Sequence, residues 1–318
     1  MTLFVAQDVL VKTMLDTHPV WHLIFVRTIV TLLVLTPLML WLGGPHRILT
    51  PYWPLHFARA ALLAIGFTLF YTAFPFMGLA EVTTIFFSAP LMTALLAAVV
   101  LREVIGWHRI IALIVGFVGV VIAMNPGSET FSWIALMPLV CALTYAISQI
   151  IARAIGEKES TLTTGLQTIT FMGILILPLG WATNEFLDIG PEYHHLRMAW
   201  PTELARDWLK FLALGLVGMI GWMLLTRAYQ VASASLVAPF DYTYMPIALV
   251  VGWVLFDEVP PAATWFGMAL IAASGLYVGY RELRAARRND DPTVVAEATF
   301  VPGTPMPPPI ADEKVQSK

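Results

Sequence analysis

The chain has 318 residues, 58% of them hydrophobic and only 12% charged, with a mean hydropathy of +0.76. A soluble domain carries roughly 25% charge, so this chain lacks the charge to cover a water-facing surface. A net charge of −3 offers no basic field for nucleic acid, and the lone Cys141 leaves no intrachain disulfide, CxxC motif or Cys/His zinc spacing.

A membrane helix needs about 20 mostly apolar residues. Ten stretches qualify or nearly qualify: 1–15, 19–42, 55–78, 79–101, 106–124, 131–152, 161–182, 207–230, 231–256 and 262–280. The pattern predicts an all-α membrane protein of ten transmembrane helices. The first stretch is short, about 22 Å as a helix, so a start upstream of Met1 is expected, with a tilted helix in a thinned bilayer as the alternative. Tight hairpins are expected near Gly78 and Val231, where almost no loop separates the spans. The Pro-rich polar end of the chain reads as a disordered cytoplasmic tail over 284–318.

Lys and Arg set the orientation. With the N-terminus inside, the cytoplasmic flanks collect Arg47, Arg59, Arg102, Arg109, Arg153, Lys158, Arg281, Arg284, Arg287 and Arg288, and the other side collects Arg197, Arg206 and Lys210. Both termini are then cytoplasmic, and the loop over 183–206 faces outward. There, a His194–His195 pair reads as a solvated loop rather than a metal site.

One phrase occurs twice. "PLMTALLAAVVLREV" runs from Pro90 through Glu103, and "PIALVVGWVLFDEV" runs from Pro246 through Glu258. Five crossings separate the copies, so they fall on opposite sides of the membrane, as in an inverted-topology repeat. "YTAFPFMGLAEV" at 71–82 also matches "TRAYQVASASLV" at 226–237, and "ALIVGFVGVV" at 112–121 resembles "GMALIAASGL" at 267–276. Pro90 and Pro246 lie inside spans and are expected to kink them. Glu103 and Glu258 end the same spans, with a helix-locking role preferred over substrate contact.

These phrases, with "SLVAPFDYTYMPIALVVGWVLFDEVP" and "GMALIAASGLYVGYRE", resemble the drug/metabolite transporter superfamily, EamA type. The second half is most similar to its S-adenosylmethionine-type and riboflavin-type carriers. The resemblance covers residues 1–283 and implies two five-helix repeats, over 1–124 and 131–283. "FVAQDVLVKTML" looks like the second half of the family's first helix.

Charges at membrane depth are costly and need partners or water. Asp8 and Lys12 lie one turn apart, either as an i,i+4 ion pair or as cavity groups. Arg27 is a substrate anchor, a counter-ion, or a structural partner of Asp8. Arg227 and Asp241 lie in the eighth and ninth spans. Asp241 reads as a substrate or proton site, or as a pair with Arg227 or Arg27, and Tyr244 shares its face. Tyr71 and Trp222 are candidates to line the same cavity. Glu81 reads as a solvated helix-start carboxylate. Gly116, Gly119, Gly215, Gly218 and Gly221 are expected to let helices approach closely.

The reading is a secondary transporter for a small polar metabolite, amino-acid-like or cofactor-like, with proton coupling through Asp241 or Asp8. It sits in the inner membrane, with the lipid bilayer and a small-molecule substrate as partners, no metal or cofactor, and room for a homodimer. A membrane-embedded enzyme and a non-transporting subunit are the alternatives. No HExxH, GxSxG or GxxxxGK[ST] motif supports an enzyme or an ATPase.

Overall fold

The computed structural model describes residues 1–42, 49–100, 106–126, 132–156, 159–186, 190–197, 204–231 and 240–289. The described residues form helices and turns without strands. The helices are α1 (Thr2–Met14), α2 (Val20–Leu42), α3 (Trp53–Ala73), α4 (Leu79–Phe86), α5 (Ala89–Val100), α6 (Trp107–Met124), α7 (Leu136–Gly156), α8 (Thr161–Phe186), α9 (Leu204–Val231), α10 (Tyr244–Phe256) and α11 (Ala262–Asn289). One-turn 3-10 helices lie at Trp133–Ala135 and Pro191–Leu196.

Among these residues, eight segments are long and apolar enough to cross a membrane by length and composition. In the first stretch, α1 has 13 residues, about 20 Å. In the ninth, α10 also has 13 residues, and the expected hairpin near Val231 falls at its far side outside the described residues.

The fourth span is broken rather than kinked. α4 stops at Phe86, the chain turns through Phe87 and Ser88, and α5 restarts with Pro90 in its first turn. There the missing N–H costs nothing, because first-turn donors have no helical partner. Pro246 sits the same way in the first turn of α10, after a turn at Tyr242 and Thr243. At the other end of α10, Asp257 adopts φ 55° and closes the helix in the left-handed region. Glu258 N–H then bonds back to Gly252 C=O at 3.2 Å. α11 continues through Asn289, past the expected helix–tail boundary at 283–284.

Packing pairs elements in an exchanged pattern. α3 packs on α7 and α8, while α9 packs on α1 and α2. α7 packs on α4 and α5, while α1 packs on α10. α6 and α11 lie against each other, and glycine makes that approach. A Cβ at Gly119 would lie 2.8 Å from Leu270 Cβ and 3.0 Å from the Gly267 carbonyl. Ser274 adds a hydrogen bond to the Ala112 carbonyl at 2.6 Å. Gly119→Val should therefore lower the melting temperature of purified protein, by about 1–3 kcal/mol of overpacking. An unchanged melting curve would show the α6–α11 contact to be compliant.

The core is rich in aromatics. Phe70, Phe74 and Phe86 stack edge-on near 5 Å, and Tyr145 joins them through Phe86.

Candidate functional site

The helices are apolar on nearly all sides, so their buried polar residues stand out. α1 presents Gln7 and Asp8 to the interior, 3% and 2% exposed. α2 contributes Arg27, α3 contributes Tyr71, and α10 contributes Tyr244. Tyr71 is the hub. Its hydroxyl accepts from Arg27 Nη1 at 2.7 Å and from Gln7 Nε2 at 3.3 Å. The guanidinium also lies 5.7 Å over the Phe67 ring and 5.8 Å over the Tyr71 ring, within cation–π range. The Tyr244 hydroxyl donates to Asp8 Oδ2. Arg27 and Asp8 are within electrostatic range of each other. Gly218 on α9 abuts Gln7 and has no side chain to displace it.

Of the two readings of Asp8 and Lys12, the i,i+4 ion pair is not made, because each side chain has a tertiary partner instead. Tyr244 serves Asp8, and a turn at Tyr242 and Thr243 separates it from Asp241 along the chain. Asp241 itself is 1% exposed and lies in helical backbone just before the turn at Tyr242 and Thr243 that precedes α10, within electrostatic range of Tyr145. The side chain of Arg227, and all of Glu103, lie outside the described residues. Trp222 is buried in an apolar cluster with Leu35, Met39 and Leu166.

Lys12 instead joins a second constellation at the turn between α3 and α4. Its ammonium pairs with Glu258 Oε1 and donates to the Met77 carbonyl at 3.1 Å. The other Glu258 oxygen accepts the Leu79 N–H, the first of α4, at 2.8 Å. Glu81 reaches back to the Gly78 N–H at 3.3 Å. Glu258 thus supplies an anion to the start of a helix in the other half of the chain, where an orphan donor and the helix dipole favour it. Gly78, Glu81, Gly252, Glu258 and Pro260 line a pocket of about 160 Å³ beside it.

Arg59, counted with the cytoplasmic flanks, and His195, read as part of a solvated loop, are both buried. Arg59 is 0% exposed and donates from Nη1 to Thr168 Oγ1 at 2.9 Å. One turn earlier, His56 Nε2 meets Glu159 Oε2 at 2.8 Å. His195 is 1% exposed, packed on Phe76 at 5.6 Å. No group of three His, Cys, Asp or Glu side chains suited to a metal ion occurs among the described residues. Burial, reinforced by neighbouring His194, pushes the His195 imidazole down to about 4. The unfolded value is about 6.5, so protonation favours the unfolded chain. The stability gained from the neutral ring is complete above pH ~6.5 and drains away as pH falls toward 4. His195→Phe should flatten acid destabilisation across that window by about 2 kcal/mol after allowance for screening. Identical melting temperatures of variant and wild type at both pH 5 and pH 7.5 would contradict this.

The model of the EamA-like transporter family matches residues 1–125 and 132–280. The chain belongs to this family. The family is one of transporters, not enzymes, and the chain is a multi-pass membrane protein. Among similar proteins is an S-adenosylmethionine uptake transporter of Rickettsia bellii, 29% identical over 88% of this chain and 90% of its own. A riboflavin transporter of Vibrio cholerae is 26% identical over 83% of this chain and 84% of its own. A pseudopaline exporter of Pseudomonas aeruginosa is 25% identical over 85% and 90%. A solved crystal structure shares the fold, with a TM-score of 0.52 over 91% of this chain and 98% of its own at 16% identity.

Proposed function

We propose that this EamA-type chain is a secondary transporter that moves a small polar metabolite across the inner membrane by alternating access. The observation that carries the reading is the buried set Gln7, Asp8, Arg27, Tyr71 and Tyr244. It is drawn from both halves of the chain and combines an acid, a base and hydroxyls where a bundle needs none for stability. Charges at such depth mark ligand and ion routes. The relatives' names support an amino-acid-like or cofactor-like substrate.

Ten crossings in two inverted five-helix units underlie the mechanism. The packing of α3 on α7 and α8, mirrored by that of α9 on α1 and α2, supports this plan. So do the interrupted helices before Pro90 and Pro246, and Pro37 in α2 with its counterpart Pro178 in α8. Discontinuous helices at corresponding places in two halves are a feature of such transporters. The Lys/Arg distribution supports cytoplasmic termini. Asp8 and Asp241 are the candidate proton carriers.

Proteoliposome uptake of labelled S-adenosylmethionine and riboflavin, with and without a pH gradient, tests the reading. Saturable uptake or counterflow of either is the expected result. No flux of either, nor of a panel of labelled amino acids and cofactors, would overturn it. In intact cells, an impermeant thiol reagent should label a cysteine placed within 187–189 and spare one placed within 290–318.

A further inference from the structure

Arg59 has no place in the site described above. It lies twelve residues before Tyr71 on α3, about 18 Å along the helix. It is fully buried, yet its guanidinium makes a single hydrogen bond, from Nη1 to Thr168. Its Nε and Nη2 have no partner. These two nitrogens form one edge of the guanidinium plane. Their N–H bonds run parallel, matching the two oxygens of a carboxylate or phosphate. A buried arginine with only its far corner anchored holds that edge ready for an anion.

The surroundings fit. α3 and α7 run antiparallel, with Gly66 against Cys141 and Arg59 within electrostatic range of Tyr145. Continuing that register places Gln149, one turn beyond Tyr145, level with Arg59. Gln149 is 1% exposed, and with one side-chain hydrogen bond to Tyr145 its amide still has a second N–H to offer. Its amide is a further donor of the kind an oxyanion requires. The nearby Glu159 is engaged with His56 and makes no ion pair with Arg59. A structural arginine in a membrane bundle is normally closed off by an acid or by carbonyls, whereas this one is closed off by one hydroxyl.

We infer that the Nε/Nη2 edge of Arg59, with the Gln149 amide, is an oxyanion subsite that receives the carboxylate of the transported metabolite. This rests on the transport reading and narrows it to substrates bearing an anionic group. Arg59→Gln removes the paired donors, and Gln149→Leu removes the amide without touching a charge.

Two measurements on the full chain decide the matter. The first needs no substrate. Sodium acetate, against acetamide at constant ionic strength, should raise the melting temperature of purified wild type saturably by about 2 °C. The shift should vanish in Arg59→Gln, and its midpoint should rise severalfold in Gln149→Leu. No acetate shift in wild type, or an equal shift in Arg59→Gln, overturns the subsite. If Arg59→Gln fails to fold, an unchanged midpoint in Gln149→Leu overturns it. The second measurement assigns the anion. Counterflow should favour S-adenosylmethionine over its decarboxylated form by tenfold or more, with the preference lost in Gln149→Leu. Equal counterflow of the two forms, beside an intact acetate shift, overturns the substrate assignment and leaves a site for free anions. Flux of neither form defeats that substrate choice within the transport reading, while the acetate arm still decides whether the subsite exists.

Discussion

Asp8→Asn should abolish uptake driven by a pH gradient while leaving a folded protein. The Tyr244 hydroxyl can still donate to the amide oxygen, so the contact between α1 and α10 survives. What disappears is a buried negative charge within electrostatic range of Arg27. Truncating one partner of a buried charge pair costs about 2–5 kcal/mol of binding, which is thirtyfold or more in affinity. Arg27→Met should damage folding more, because Asp8 then remains buried without a compensating cation, at about 3–5 kcal/mol. The double variant Asp8→Asn/Arg27→Met should recover folded yield but not transport. Gel-filtration yield and counterflow, measured on all three variants, separate the two effects. Wild-type uptake kinetics in Asp8→Asn would remove the carboxylate from the mechanism and leave Asp241 as the proton carrier to test.

The second large effect belongs to Glu258. Glu258→Ala leaves the Lys12 ammonium without its acid and the Leu79 N–H without an acceptor. An unsatisfied buried donor costs about 1–3 kcal/mol, and the stranded ammonium adds to it. The expected loss is about 3 kcal/mol in all, with the chain loosening where α1, α10 and the start of α4 meet. Glu258→Gln keeps an oxygen for Leu79 and should lose about half as much. Lys12→Met in the Glu258→Gln background should cost little further, because the pair is already broken. Thermal unfolding of wild type, Glu258→Gln, Lys12→Met and the double variant gives the coupling energy directly. Additive losses would mean that Lys12 and Glu258 act independently. Under alternating access the latch must also open, so a weakened latch should change the ratio of uptake to exchange.

Much was legible from residue order alone. Apolar length and scarce charge place the chain in a membrane, because lipid requires segments that satisfy their own backbone bonds. The repeated proline-to-glutamate phrase leads to the family. Asp8, Lys12, Arg27, Tyr71 and Tyr244 could be singled out because a polar residue in an apolar span is expensive wherever it points. The pairing of those residues was not legible. Sequence gives depth along a helix, and it gives azimuth only when one face is polar. The low polarity contrast around α2 and α10 leaves no such face to read.

Tertiary packing therefore decided which partners met. Lys12 turned to Glu258, 246 positions away, and Asp8 to Tyr244, 236 positions away. Arg59 and His195 look like flank and loop residues by position, and both are closed over by helices distant in the chain. Pro90 and Pro246 announced a disturbance in their helices. That the disturbance is a break rather than a kink depends on neighbours that satisfy the freed backbone groups. The sequence by itself determined the solvent, the helical class and the family of this protein. The tertiary structure alone decided its charge pairs, because two residues on different helices share a site only after the helices have packed.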